Sequence, residues 1–243
     1  MPSLPPAARP TAASPLRDVD LWAGIGLAFV AGFVDAAAFI ALAGLFTAHV
    51  TGNFVLIGAE LVSTSTGVVA KLLALPVFVA AVAVTRLASL ALERRGRAPL
   101  RWLLVIEIVV LAAFCGIGIA LSPLGSPDGI ASITVGMLGV AAMGVQNAIG
   151  RLGFAHLAAT TVMTVNVTQA VIDAVDLGRG AAPVGGPARA RLRRMVPAVV
   201  AFAGGALAGA FGVAAWSFGC LVVPIVVLIG LVALVRTPAP SPP

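Results

Sequence analysis

The sequence predicts an all-α polytopic membrane protein. Six transmembrane helices form a 3+3 inverted repeat, and each half carries an additional short re-entrant or interfacial helix. Three observations carry that prediction: the composition, the long uncharged apolar runs, and the loops into which the arginines fall. Hydrophobic residues make up 60% of the 243, charged residues 10%, and mean hydropathy is +1.10. A soluble fold cannot hide that much apolar surface. The stretches 21–44, 72–92, 101–121, 131–151, 196–216 and 219–236 are each about long enough, at ~1.5 Å per helical residue, to cross an apolar slab of ~30 Å.

The cations order these spans. Arg9 and Arg17 precede the first span, Arg94, Arg95, Arg97 and Arg101 lie between the second and third, and Arg151, Arg179, Arg189, Arg191, Arg193 and Arg194 lie between the fourth and fifth. Arg236 follows the last. The alternate loops hold only Lys71, in the 45–71 connection. Six spans with both termini cytoplasmic obey the positive-inside rule at every loop. The segments 50–66 and 157–176 are apolar enough to be considered as spans too. Counting them would put the 93–101 and 179–194 loops on opposite sides, so they are expected to be short re-entrant or interfacial helices.

The chain divides into a disordered cytoplasmic tail over 1–19, one transmembrane domain over 20–236 (half one 20–121, half two 131–236) and a short tail over 237–243. The Pro- and Ala-rich start has no apolar core before a cleavage site and does not read as a signal peptide. A net charge of +6 could suggest nucleic acid, but the basic residues sit in loops between apolar runs, where they report topology instead. Cys115 and Cys220 lie inside apolar runs and read as small hydrophobes.

The two halves resemble each other. Gly32-Phe-Val-Asp35-Ala36 is followed by Thr51-Gly52-Asn53, and Gly144-Val-Gln-Asn147-Ala148 is followed by Thr164-Val165-Asn166. Further on, Leu75-Pro76-Val77-Phe78 answers Val196-Pro197-Ala198-Val199, with each proline near the start of a span. Three spans per half is an odd number, so the halves enter from opposite sides, an architecture common among secondary transporters. The runs GFVDAAAFIALAGLFTAHVTGNFVLIGAEL and MGVQNAIGRLGFAHLAATTVMTVN resemble the YoaK family of bacterial integral membrane proteins, a domain of unknown function. The resemblance spans roughly 20–236 and implies a six-span inner-membrane protein without supplying an activity. Val165, standing where the first half has Gly52, is a departure from the repeated motif.

Polar groups inside the apolar runs are the candidate site. Asp35 falls near mid-span, where an ionisable group costs about 2.5 kcal/mol or more, so it should face the bundle interior or a wet cavity. Asn147 is its counterpart in the second half, with Gln146 beside it. Thr51, Gly52 and Asn53 could start a half-helix whose positive end attracts substrate. The second half is dense in polar groups, Asn166 among them, and Thr161, Thr164 and Thr168 recur at helical spacing and would form one stripe. His49 and His156 each precede a polar segment and could sense pH, although a histidine there is more often an interfacial hydrogen bonder. Arg86 and Glu107 fall at similar depth on a predicted hairpin and are expected to form a structural ion pair. Gly205-x-x-x-Gly209 reads as a face for close helix packing.

No P-loop, Gly-x-Ser-x-Gly, His-Glu-x-x-His or metal-ligand spacing is present, so no cofactor or metal is expected. The leading expectation is a secondary transporter or channel for a small molecule or ion. Its site would be formed by Asp35, His49, Thr51, Gly52, Asn53, Gln146, Asn147, Thr161, Thr164 and Asn166. The alternatives are a non-transporting membrane partner or assembly protein, which would co-purify with a fixed partner, and a membrane-embedded lipid enzyme built on His49, Asp35 and Glu60. Expected partners are the lipid bilayer, an unidentified small-molecule or ion substrate and a possible second copy of the chain, with no nucleic acid.

Overall fold

A computed structural model describes residues 18–63, 67–154, 160–181, 183 and 186–235. Residues 1–17 and 237–243 of the expected tails, with His156 and Arg236, lie outside the described residues, whereas Asp18 and Val19, expected in the disordered tail, open the first helix. Eight α-helices follow in order: α1 Asp18–Ala41, α2 Gly52–Ser63, α3 Val68–Arg94, α4 Pro99–Leu121, α5 Ile130–Leu152, α6 Met163–Gly178, α7 Pro187–Trp216 and α8 Val222–Leu234. A 3-10 turn, Ser217–Leu221, joins the last two, and the described residues contain no strand. Among the described residues, five helical stretches are long and apolar enough to cross a membrane: α1, α3, α4, α5 and the 48-residue run from Pro187 to Leu234.

That last run is bent back on itself. Ser217 adopts a positive φ of 48°, and a Cβ built on Gly212 would meet the Cys220 Cβ at 3.0 Å. Along α1, Gly205 and Gly209 of α7 meet the Phe29 and Phe33 carbonyls, so α7 runs parallel to α1. Leu231 of α8 meets Gly26 while Phe33 lies near the turn, so α8 runs back. The Gly205-x-x-x-Gly209 face packs as its sequence predicts. Any Cβ at Gly32, Gly205 or Gly209 would collide with a backbone carbonyl of the facing helix.

The other contacts set the remaining directions. Gly136 of α5 faces Leu45 and Gln146 donates to the Leu27 carbonyl at 2.7 Å, so α5 is antiparallel to α1. Asp128, just ahead of α5, accepts hydrogen bonds from Gly67 N and Val69 N at the start of α3, at 2.9 and 3.1 Å. This acidic cap supplies two of the helix's otherwise unbonded N–H groups and brings the starts of α3 and α5 together. Gly144 of α5 then faces Ala81 and the Phe78 carbonyl of α3. The core fills with Leu27, Val34, Leu45, Leu104, Phe114, Met143 and Leu228, all buried.

Two expectations change here. Pro76 and Pro197 lie inside α3 and α7, well past their first turns. Both helices begin earlier than their apolar runs, because the Asp128 cap and Pro187 at the first turn let polar residues join them. The expected Arg86–Glu107 ion pair does not form. Arg86 lies 3.5 Å from Glu93, two turns along the same helix. Glu107 is 0% exposed on the packed face of α4 with Leu103, Leu104, Leu111 and Phe114, and neither carboxyl oxygen has a hydrogen-bond partner.

Candidate functional site

The site is made by a chain reversal at the end of α1. The helix closes with a left-handed Ala43 (φ 51°) and a bond from Gly44 N to the Phe39 carbonyl, 2.8 Å, which is a Schellman arrangement. Residues 45–51 then fold back along the helix. Asp35 lies six residues before the helix end, about 9 Å inside it, and its carboxylate gathers the returning strand of chain. Oδ1 accepts from Thr47 N at 2.7 Å, Thr47 Oγ1 at 3.2 Å and Ala48 N at 2.7 Å. Oδ2 lies 2.7 Å from His49 Nδ1. The Asp35 side chain is 6% exposed and that of His49 35%.

From this depth α2 leads back out. Its first N–H groups are already spent: Gly52, Asn53 and Phe54 donate to the carbonyls of His49, Val50 and Thr51. Asn53 is buried and bonds both ways to the Phe46 backbone, at 3.0 and 2.9 Å, locking the loop. Near the other end of α2, Glu60 accepts 2.6 Å from Lys71 Nζ, which also donates to the Ala43 carbonyl at 2.8 Å. Lys71 therefore ties α2 to the place where the chain left α1. The segment leaves and returns at the same end of the bundle.

A cavity of about 600 Å3 lies against this loop, bounded by α1, the start of α2 and α7. Asp35, His49, Thr51 and Gly52 reach it, among apolar walls that include Phe39, Phe46 and Phe202. The rings run in a row: Phe39 to Phe46 at 4.7 Å between centroids, Phe46 to His49 at 6.3 Å and His49 to Phe202 at 5.5 Å. The hydrogen bond to Asp35 pushes the His49 imidazole above its ordinary 6.5, against the downward pull of burial. The Asp35 charge and a backbone contact to Thr161 add to the upward push.

The second half repeats part of this frame. Thr161 Oγ1 donates to Asn147 Oδ1 at 2.7 Å, fourteen residues apart, the same separation as His49 and Asp35. Asp173 of α6 is held by Arg191 of α7 at 2.8 and 2.5 Å and by Gln169 at 3.0 Å. The Arg191 guanidinium keeps that carboxyl below the usual carboxylate range.

The structure thus divides the expected site. Asp35, His49, Thr51 and Gly52 share one cavity; Thr161 touches the His49 ring through its backbone and holds Asn147, but neither lines the cavity. Asn53, Asn166 and Gln146 are not among the cavity-lining groups: Asn53 clamps Phe46, Asn166 is buried beside Met163 and Gln146 is buried against Leu27. The threonine stripe is broken, since Thr161 precedes α6 and is buried while Thr164 and Thr168 are exposed. Lys71 and the aromatic walls were not singled out from sequence as site residues. The signal for Lys71 was its being the one lysine in a loop otherwise bare of cations, eleven residues from Glu60.

Neither the curated proteins nor the solved structures contain a match to the chain. Residues 23–234 match the model of the family described as protein of unknown function (DUF1275), in keeping with the resemblance in its motifs, and the chain belongs to that family.

Proposed function

We propose that this multi-pass membrane protein is a secondary transporter of a small molecule or ion, with the Asp35–His49 pair as its titrating centre. The observation that carries the reading is a buried carboxylate bonded to a histidine where the chain folds back on α1, on the wall of a cavity of about 600 Å3. A charged pair at such depth is costly to keep in an apolar protein and is retained where it moves ions or protons.

The proposed frame is six crossings in two inverted halves, with both termini cytoplasmic. The reversal at Ser217 supports counting α7 and α8 separately. Four correspondences support the repeat. Antiparallel α1 and α5 correspond, and Gly32 meets Phe202 on α7 as Gly144 meets Ala81 on α3. Asp35–His49 corresponds to Asn147–Thr161, and Glu60–Lys71 to Asp173–Arg191. The arginine-rich loops support the orientation. The two halves do not contribute equally to the cavity, so the reading rests on the first-half pair rather than on two matched half-sites.

The test is proton flux in liposomes that hold a pH-sensitive dye and the purified protein, challenged with a panel of cationic, anionic and neutral metabolites. At least one class should give a flux that is absent in empty vesicles and lost in Asp35→Asn. Flux equal in Asp35→Asn removes Asp35 from the mechanism, and a panel indistinguishable from empty vesicles overturns proton-coupled transport.

A further inference from the structure

We propose that the cavity beside Asp35 takes a hydrophobic organic cation, an ammonium or phosphonium on an apolar body, and that cation and proton occupy the site in turn. The proposal rests on the transporter reading and names the substrate class of the same site.

The walls exclude the other classes one by one. An anion would face a carboxylate, and the helix start that could have held it has its first N–H groups bonded to the His49, Val50 and Thr51 carbonyls. A polyhydroxy compound needs many hydrogen-bond partners, yet beside the acid–imidazole pair the cavity offers the Thr51 hydroxyl among apolar side chains. A neutral hydrocarbon would suit the walls and leave the buried Asp35 charge without a role. A cation fits both features. The faces of Phe39, Phe46 and Phe202 attract positive charge, and Asp35 supplies the counter-charge. About 600 Å3 falls within the ~300–1,000 Å3 of small-ligand sites.

The exchange follows from how the carboxylate is bonded. Thr47 and Ala48 hold Oδ1 with three donors from the loop, while Oδ2 meets the His49 ring at the cavity wall, so the exchangeable partner is His49. With His49 protonated the pair is neutral. An arriving cation would add an uncompensated charge to an apolar wall, and release of the His49 proton to water at the open side of the cavity restores neutrality. Among the described residues, the surroundings do not supply another countercharge. Around the ring, α7 presents Phe202 and Ala206, the second half presents the Thr161 backbone beside neutral Asn147, and Glu60 of α2 is paired with Lys71. The second half carries an amide and a hydroxyl where the first carries an acid and an imidazole, so one proton exchanges for one cation.

Tetraphenylphosphonium, which carries charge without any N–H, is the probe. Its binding to the full-length protein in detergent would be followed by calorimetry between about pH 5.5 and 8.5, in buffers of different ionisation enthalpy. Saturable binding is expected, weakening about tenfold per pH unit below the His49 midpoint, with release of about one proton there. Asp35→Asn should abolish binding, and Phe202→Leu should weaken it about two- to thirtyfold. His49→Gln should tighten binding at acid pH and flatten the pH dependence. Phe202→Leu leaves every Asp35 hydrogen bond in place, so it decides the matter if Asp35→Asn fails to fold. Absence of saturable binding by the wild type, unchanged affinity in Phe202→Leu, or pH-independent binding overturns the proposal. Asp35-dependent proton flux with an anionic or neutral compound, and no phosphonium binding, would remove this substrate class and keep the transporter reading. Loss of both removes the transporter reading as well.

Discussion

After α1 the chain folds back onto a carboxylate that holds two backbone N–H groups, a hydroxyl and a histidine. After α5 an amide, Asn147, stands in its place and holds a single threonine hydroxyl. Farther along, both halves fasten an acid of the short helix, half-buried Glu60 or buried Asp173, to a cation on the next long helix, Lys71 or Arg191. The difference teaches which parts are frame and which are chemistry. Packing glycines and fastening ion pairs occur in both halves, whereas the titratable pair occurs in one. Contacts common to both halves with an acid–histidine pair in one of them fit the proposed exchange of one charge per cycle, and each variant below attacks either the common contacts or the asymmetry.

The fastening pairs should give the largest effect. The Lys71 side chain is 1% exposed, and that of Arg191 is 41%. Lys71→Met strands Glu60, whose second oxygen already lacks a partner, and should cost about 3–5 kcal/mol. Arg191→Met leaves Asp173 its Gln169 bond, and solvent around Arg191 already screens the pair, so about 1–2 kcal/mol is expected. Melting of detergent-solubilised protein, followed by size-exclusion recovery, would show the order. Recovery of Lys71→Met by adding Glu60→Gln would identify the stranded acid as the cause. Equal losses from both single variants would mean the two pairs are not graded by burial.

Next come the packing glycines. A methyl at Gly32 meets the Phe202 carbonyl, which is backbone and cannot yield, whereas one at Gly144 meets mainly the Ala81 methyl. Gly32→Ala should cost about 3 kcal/mol and Gly144→Ala about 1 kcal/mol. The same melting assay reads both, and a larger loss at Gly144 would reverse the account of how tightly the two helix pairs are packed.

The Asp35–His49 pair should give a smaller stability effect with a distinct pH signature. His49 has its folded value raised above 6.5, so its stabilisation is fully present below about pH 6.5 and is lost as pH rises through the raised value. The wild type should therefore melt lower as pH climbs from about 6 to 9, and His49→Gln should flatten that slope. Asp35→Asn should cost about 1–3 kcal/mol, since an amide offers one acceptor oxygen to donors that now use two. Thr161→Val, at the matching bond of the second half, should leave the slope unchanged.

Much of the frame was legible in the sequence because hydropathy is local. The apolar runs gave the long helices, and the loop arginines argued for a paired α7 and α8 where length alone gives one 48-residue run. Asp35 was legible because a charge inside an apolar run has to be explained. What it binds was less so: Thr47, Ala48 and His49 reach it only because Ala43 reverses the chain, which a hydropathy pattern does not encode. The Arg86–Glu107 pairing failed for a related reason. Matching two residues by depth says nothing about azimuth, and helical periodicity turns Glu107 into the packed face while Arg86 lies on the same face of α3 as Glu93, two turns away. Asn53 looked like a ligand group and is a clamp, because sequence shows a polar side chain without showing that the neighbouring backbone consumes it.

Glu107 offers the smallest and most pointed test of the asymmetry. In the register that aligns Pro76 with Pro197, 121 residues apart, Glu107 corresponds to Leu228, and both are 0% exposed. The first half thus buries a carboxyl with two unpartnered oxygens where the second buries a hydrocarbon. Glu107→Leu removes the cost of an unsatisfied polar group and keeps most of the volume, so it should stabilise by about 1 kcal/mol, a rise of roughly 2–4 °C in melting temperature. Proton flux measured on the same variant separates two roles. Flux retained alongside the rise makes Glu107 a tolerated burial and leaves Asp35–His49 as the titrating centre. Flux lost from a protein that melts higher would place a second proton site in the core and end the one-charge account of the two halves.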